Sequence, residues 1–176
     1  MKFTETRLKG AYIIDIEPHD DKRGFFARVW CRKEFAEQGL ASSLAQCSIA
    51  YNSKRGTLRG MHYQEAPHEE IKLVRCTKGA VYDVIVDLRP GSGTFRQWIG
   101  VELSEDNRRT IYIPEGFAHG YITLKQDSEL FYQMSEFYVP EAGTGVRWND
   151  PVLGIEWPDV GDITVADRDQ AWPLLD

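Results

Sequence analysis

IKLVRCTKGAVYDVIVDL, residues Ile71 to Leu88, contains two runs rich in β-branched and aromatic residues, Ile71–Cys76 and Ala80–Leu88, separated by Lys78-Gly79. Runs of this length and composition on either side of a glycine read as strands, and Lys78-Gly79 reads as a hairpin turn. The same signal recurs along the chain at Ala11–Ile16, Phe25–Trp30, Arg96–Leu103, Arg109–Ile113, Gly120–Thr123 and Leu130–Tyr138, punctuated by Gly, Pro, Asp and Asn. Arg89–Gly93 and Ser104–Asn107 read as further corners. Only Cys31–Gln38, ended by Gly39, reads as a helix. Many short strands with almost no crossover helix exclude a parallel α/β sheet and point to an all-β sandwich or barrel.

The chain has 176 residues and no repeat, linker or low-complexity segment, so residues 1–176 read as one domain. Lys and Arg number 21 against 27 Asp and Glu, a net charge of −6 that disfavours nucleic-acid binding. The apolar runs around Val84–Val86 are broken by Asp83 and Asp87, so no membrane span is expected. Three cysteines without metal-like spacing, and no leader-like start, point to a reducing, cytoplasmic setting. The tail from Pro140 to Asp176 carries Pro140, Pro151, Pro158 and Pro173 with Trp148, Trp157 and Trp172, and reads as an irregular wrap held by aromatic burial.

Imidazole titrates near neutrality, so the four histidines are weighed first. His19 and His68 have no distinctive setting and read as structural or surface residues. His62 follows a glycine within Arg59-Gly60-Met61-His62-Tyr63-Gln64, and His119 lies in Pro114-Glu115-Gly116-Phe117-Ala118-His119-Gly120; both are candidates for chemistry. Alternation along Leu130–Tyr138 puts Tyr132, Met134, Glu136 and Tyr138 on one face, too polar for a dry core and too aromatic for a bland surface. Lys72 shares a face with Val74 and Cys76, where an ammonium must either meet an anion or snorkel to water. Spacing selects no carboxylate partner for His62; Asp162, Asp167 and Asp169 compete in the tail.

Taken together, Arg59–Gln64, Lys72–Arg75, Asp83–Arg89, Pro114–Gly120 and Trp148-Asn149-Asp150-Pro151 resemble the dTDP-4-dehydrorhamnose 3,5-epimerase family of cupin jelly rolls, in order from about residue 3 onward. The resemblance implies a cupin double-stranded β-helix with short peripheral helices, and inversion at C3 and C5 of a nucleoside-diphosphate 4-keto-6-deoxyhexose. It implies His62 as base, Asp169 as the carboxylate orienting it, Tyr132 as acid on the opposite face, and Lys72 beside the sugar's C4 oxygen. Arg23 and Arg59 match diphosphate-gripping arginines, Phe26 a base-stacking ring, and Gln46, Lys72 and His119 substrate-contacting positions. Tyr138 and Arg168 fall at the substrate end, Tyr138 where the family sets how many carbons invert. A regular strand would put Arg59 and His62 on opposite faces, so the chain must bulge or bend at Gly60.

Metal-binding cupins use histidines and a glutamate, but Lys72 stands where that glutamate would be, so no metal and no cofactor are expected. The implied assembly is a homodimer, with Ala11–Ile16 pairing across a two-fold axis and Arg23 and Phe26 completing the partner's pocket. Arg28, Ser48, Gly143 and Arg168 depart from common family residues and leave open which nucleotide and sugar are used. The competing readings are an epimerase inverting one carbon only, one using another nucleotide sugar, and a non-catalytic sugar-nucleotide-binding cupin.

Overall fold

The computed structural model describes residues 1–175; Asp176, the last residue of the expected domain and tail, lies outside them. The chain forms β1 (Lys2–Glu5), β2 (Tyr12–Asp15), β3 (His19–Asp21), β4 (Gly24–Phe26), α1 (Arg32–Glu37), β5 (Gln46–Asn52) and β6 (Thr57–Gln64). It continues through β7 (Lys72–Lys78), β8 (Ala80–Asp87), β9 (Trp98–Ser104), β10 (Thr110–Ile113), β11 (Phe117–Thr123) and β12 (Ser128–Met134). Last come β13 (Gly143–Gly145), β14 (Thr164–Val165) and α2 (Asp167–Gln170). One sheet has the order β1-β2-β10-β7-β12-β5 and the other β13-β6-β11-β8-β9, with β14 beside β6 and a separate β3–β4 hairpin. This is the expected all-β jelly roll.

Two sheets facing each other must bury their inner faces. Val74, Cys76, Ile111, Ile113 and Leu130 from the first sheet meet Val81, Ile85, Leu103 and Phe117 from the second in a dry core. The outer face of the first sheet is covered by Phe35 of α1 against Ile14, Leu73 and Tyr112. The outer face of the second is covered by the tail, whose Val146 and Leu153 pack on Met61, Val84, Val86 and Ala118, with Trp157 beside them. The tail therefore wraps the body as its aromatic content implies.

Four strand readings change. Lys78-Gly79 is a corner between sheets, not a hairpin: β7 pairs with β10 and β12, whereas β8 pairs with β11 and β9. Gly79 is at φ +74, and a Cβ there would lie 2.5 Å from Ser128 Oγ, which receives the Ala80 amide at 3.3 Å. The expected strand Phe25–Trp30 contracts to Gly24–Phe26, and Leu130–Tyr138 ends at Met134, leaving Tyr138 beyond the strand. The segment Ala11–Ile16 is no free edge, because β2 lies between β1 and β10.

Six strands escaped the pattern reading, β1, β3, β5, β6, β13 and β14, and of these β5 and β6 bear most on the site. In β5 the outward Cys47, Ile49 and Tyr51 are exposed while the inward Gln46, Ser48, Ala50 and Asn52 are sheltered, an inverted amphipathicity. In β6, Arg59, Gly60 and His62 interrupt the apolar pattern. Both line the wet part of the inter-sheet space, where alternation no longer reports burial.

At the end of β8 the buried Asp87 carboxylate accepts from Arg89 Nε at 2.9 Å, Arg89 Nη2 at 2.7 Å, and the Ser92 and Thr94 hydroxyls at 2.6 Å each. Burial alone would push this carboxyl up, but the bonds from Arg89, Ser92 and Thr94 reverse that and hold it far below the ordinary range. A depressed folded pKa means stability fully present above the unfolded value near 3.9 and lost as pH falls toward the folded one. Asp87→Asn should therefore cost about 2 kcal/mol at pH 7, lowering Tm by roughly 4–8 °C. Thermal melts should show that gap to the parent narrowing below about pH 4.

Candidate active site

Between the sheets, beyond the dry core, lies a cavity of about 410 Å³ lined by Arg59, His62, Lys72, His119, Tyr132, Tyr138, Arg168 and Asp169, among others. That volume suits a small-molecule site. His62 enters on β6 of one sheet, and Lys72 and Tyr132 enter on β7 and β12 of the other. The two walls therefore present different groups to opposite faces of anything bound between them.

Gly60 resolves the problem of Arg59 and His62. It sits at φ +136, and the β6–β11 register shifts between His119, opposite His62, and Tyr121, opposite Arg59. This irregularity turns both side chains to the cavity. Only a residue without a Cβ fits, since one on Gly60 would stand 2.5 Å from Gly120 Cα and one on Gly120 2.8 Å from the Arg59 carbonyl oxygen.

Asp169, on the short α2, is the carboxylate that reaches His62: its Oδ1 lies 2.7 Å from His62 Nε2, and its Oδ2 accepts the Gly60 amide at 3.1 Å. Burial pushes the Asp169 carboxyl up, but His62 and the Gly60 amide outweigh it and hold the group below its ordinary value. An ionised Asp169 accepts the hydrogen bond of Nε2–H, which leaves Nδ1 with its lone pair. The His62 side chain is 42% exposed while that of Asp169 is 7% exposed, so the imidazole meets solvent and ligand with its orienting partner sealed behind it.

A second imidazole–carboxylate pair stands directly across the ladder. His119 Nε2 lies 2.9 Å from Asp83 Oδ2. Asp83 is fully buried, its Oδ1 has no partner among the described residues, and burial pushes its carboxyl up against the pull of His119 and Lys72. Lys72 meets an anion after all: Glu70 Oε1 lies 2.5 Å from its Nζ, which also donates to the His62 carbonyl at 3.3 Å. Arg59 Nε donates to Asn52 Oδ1 at 2.9 Å, and Asn52 in turn bonds the Tyr121 hydroxyl. Burial pushes that phenol up to about 12 against Asn52 and Arg59, so it stays a neutral donor.

Other sequence candidates lie elsewhere. Gln46 does not line the cavity; its Oε1 accepts the Tyr138 amide at 3.0 Å and its Nε2 reaches Met134 Sδ. Arg23 and Phe26 are exposed on the β3–β4 hairpin, Arg23 against Asp21, and neither lines this chain's cavity. Glu136 shares no cavity wall and accepts the Phe137 amide. Arg168 lies over the Trp172 ring, with Nη2 3.4 Å from the carbonyl of Gly143. Arg28 pairs with Glu34 outside the cavity. Glu70, Asp83 and Asn52 were missed. A carboxylate inside the apolar run of β8, and another two residues before a lysine on an inward face, are the signals that would have found the first two.

Among the described residues no three His, Cys, Asp or Glu side chains converge as a metal site requires. No helix there is long and apolar enough to cross a membrane.

A family model described as dTDP-4-dehydrorhamnose 3,5-epimerase matches residues 5–176. The dTDP-4-dehydrorhamnose 3,5-epimerase of Methanothermobacter thermautotrophicus is 42% identical over 99% of this chain and 94% of its own. The structure of the Bacillus anthracis dTDP-4-dehydrorhamnose 3,5-epimerase with TDP and PPi bound superposes with a TM-score of 0.95 at 40% identity, covering 99% of each chain. A 3'-monoepimerase from Streptomyces bikiniensis in complex with dTDP-quinovose superposes at 0.89 with 34% identity, over 96% of this chain and 85% of that one.

Gly60→Ala tests the close approach of β6 and β11. With positive φ and backbone in the way, it should destabilise by about 1–3 kcal/mol. Urea unfolding should show the midpoint falling, and the same change at exposed Gly93, which has open space around it and no positive φ, should not match that loss.

Proposed function

The chain belongs to the dTDP-4-dehydrorhamnose 3,5-epimerase family, and from that membership we propose that it inverts C3 and C5 of dTDP-4-dehydro-6-deoxy-D-glucose to give dTDP-4-dehydro-L-rhamnose. The observation that carries this reading is the division of labour between the walls: an Asp169-oriented imidazole on one sheet, a phenol and an ammonium on the other. A C–H beside a ketone is acidic because the carbanion delocalises as an enolate, so the reaction asks for a base, an acid on the opposite face, and a cation at the oxygen.

His62 Nδ1 removes the proton from the carbon next to the C4 ketone, and Asp169 stabilises the imidazolium that forms. Negative charge gathers on the C4 oxygen, where Lys72 meets it. The Tyr132 hydroxyl delivers a proton to the other face of the carbon, which inverts it; solvent then takes the proton from the His62 imidazolium and returns one to the phenolate. Repetition at the second carbon completes the double inversion. Arg59, its Nε occupied by Asn52, keeps its two terminal nitrogens for the diphosphate, and Arg168 at the rim adds a second cation. His119, on Asp83, and Tyr138 contact the sugar.

Arg23 and Phe26 stand outside the cavity of their own chain, so their matching roles at the diphosphate and base require a second copy. We assign them to the partner's site in a homodimer. The exposed Ile49 and Tyr51 on the edge strand β5 support association, since an uncovered apolar edge needs a cover. Light scattering at micromolar concentration should return twice the mass of one chain, and a single-chain mass would refute the assignment.

The competing reading is inversion at one carbon only, favoured by the likeness to the Streptomyces 3'-monoepimerase. Incubation with dTDP-4-dehydro-6-deoxy-D-glucose in D₂O should place deuterium at C3 and C5; label at one carbon alone selects the single-site reading. Absence of label at both, with the ligand bound, makes the protein a binder. His62→Asn should abolish exchange at both carbons. Tyr132→Phe should keep His62-dependent exchange while epimerised product falls roughly 10²-fold or more, the range of general acid catalysis. Product within about threefold of the parent would transfer the acid role away from Tyr132.

A further inference from the structure

We infer that Glu70 is a positioning residue for this reaction, holding the Lys72 ammonium aimed at the place where the enolate oxygen forms; the inference rests on the epimerase reading above. Glu70 has a side chain only 3% exposed and lies in the segment that leads into β7. Its two oxygens have separate tasks: Oε2 accepts the Gln64 amide at 3.2 Å, which anchors the carboxylate to β6, and Oε1 lies 2.5 Å from Lys72 Nζ.

A buried carboxylate is costly without a cation, and a buried ammonium is equally costly without an anion. Each is the other's counterion here. Lys72 is on a long flexible stem, and its three N–H groups would otherwise sample many directions. Glu70 takes one and the His62 carbonyl takes a second at 3.3 Å, so the third is left for the cavity that both residues line. The bond to the His62 carbonyl also ties the cation on one sheet to the strand that carries the base on the other, fixing the distance between proton removal and charge stabilisation. Donors preorganised in this way act on the transition state without reorganising during the reaction.

The role of Glu70 is thus exercised through Lys72, and a purely structural role as an acceptor for Gln64 predicts different results. Glu70→Gln keeps the size and an acceptor for the Gln64 amide while removing the charge. It should lower kcat by roughly 10- to 10²-fold with KM changed less than about threefold. In a Lys72→Met background the same change should cost less than about threefold in deuterium exchange, because the effect has no other route. Glu70→Asp, which keeps the charge, should recover more activity than Glu70→Gln and covers the case in which the amide fails to fold.

A readout free of turnover separates this inference from the epimerase reading. In protein labelled with ¹⁵N at lysine Nζ, the buried, hydrogen-bonded Lys72 should give a slowly exchanging NH₃⁺ resonance, identified by its loss in Lys72→Met. That resonance should shift or broaden away in Glu70→Gln. No Lys72 resonance in the parent, an unaltered one in Glu70→Gln, or an undiminished kcat penalty in the Lys72→Met background would each overturn the inference. A parent that shows the resonance but does not turn over the dTDP sugar would refute the epimerase reading while leaving the Glu70–Lys72 link standing.

Discussion

The site is organised around one steric constraint, the contact of β6 and β11 at Gly60 and Gly120, where neither backbone leaves room for a Cβ. The contact forces β6 out of regular register, and that irregularity turns Arg59 and His62 to the same side. The amide of Gly60 then becomes the donor that holds Asp169 in place. A carboxylate more than a hundred positions away in sequence is thereby docked behind the imidazole by a backbone group of the strand that bears it. A single conformational demand at one glycine places His62, Asp169 and Arg59.

Charge is introduced into the cavity in compensated form. His62 faces Asp169, His119 faces Asp83, Lys72 faces Glu70, and Arg59 is held by the neutral Asn52 rather than by an acid. The difference is chemically apt. His62 and Lys72, assigned to proton removal and enolate stabilisation, have carboxylates that fix their geometry, while the arginine assigned to the diphosphate has no acid beside it. Asp83, fully buried, contributes a counter-charge that water cannot reach, which is why burial pushes its carboxyl up and why it depends on His119 and Lys72.

The inter-sheet space is split between a dry end and a wet one. Val74, Ile85, Ile111 and Leu130 fill the first and give the sandwich its cohesion. Arg59, His62, Lys72 and Tyr132 occupy the second, Tyr132 packing against the dry cluster while it lines the cavity. Rigid walls of this sort keep groups on two sheets at a set separation, a condition for chemistry on both faces of a planar enolate.

What was legible in the sequence was local. Composition and strand patterning in Ile71–Leu88 were enough for the all-β class, because β-branched runs between turn residues have few other uses, and the motifs Arg59–Gln64, Lys72–Arg75, Asp83–Arg89, Pro114–Gly120 and Trp148–Pro151 carried the family likeness. Two of the strands that build the site, β5 and β6, were illegible: their inner faces meet a cavity rather than a core, so in β5 Ile49 and Tyr51 point outward while Ser48 and Asn52 point in. Spacing could not choose Asp169 from its neighbours, nor reveal that Asp83 faces His119, since those pairings are made between strands and segments remote in sequence; only Glu70 and Lys72, two residues apart, left a local trace. Nor could Lys78-Gly79 announce that it joins two sheets instead of two neighbours, because a positive-φ glycine serves a hairpin and an inter-sheet corner equally well. Residue chemistry is set by the local sequence, but which groups neutralise and orient one another is decided by how the two sheets close, because electrostatic pairing acts across space and leaves no period in the chain.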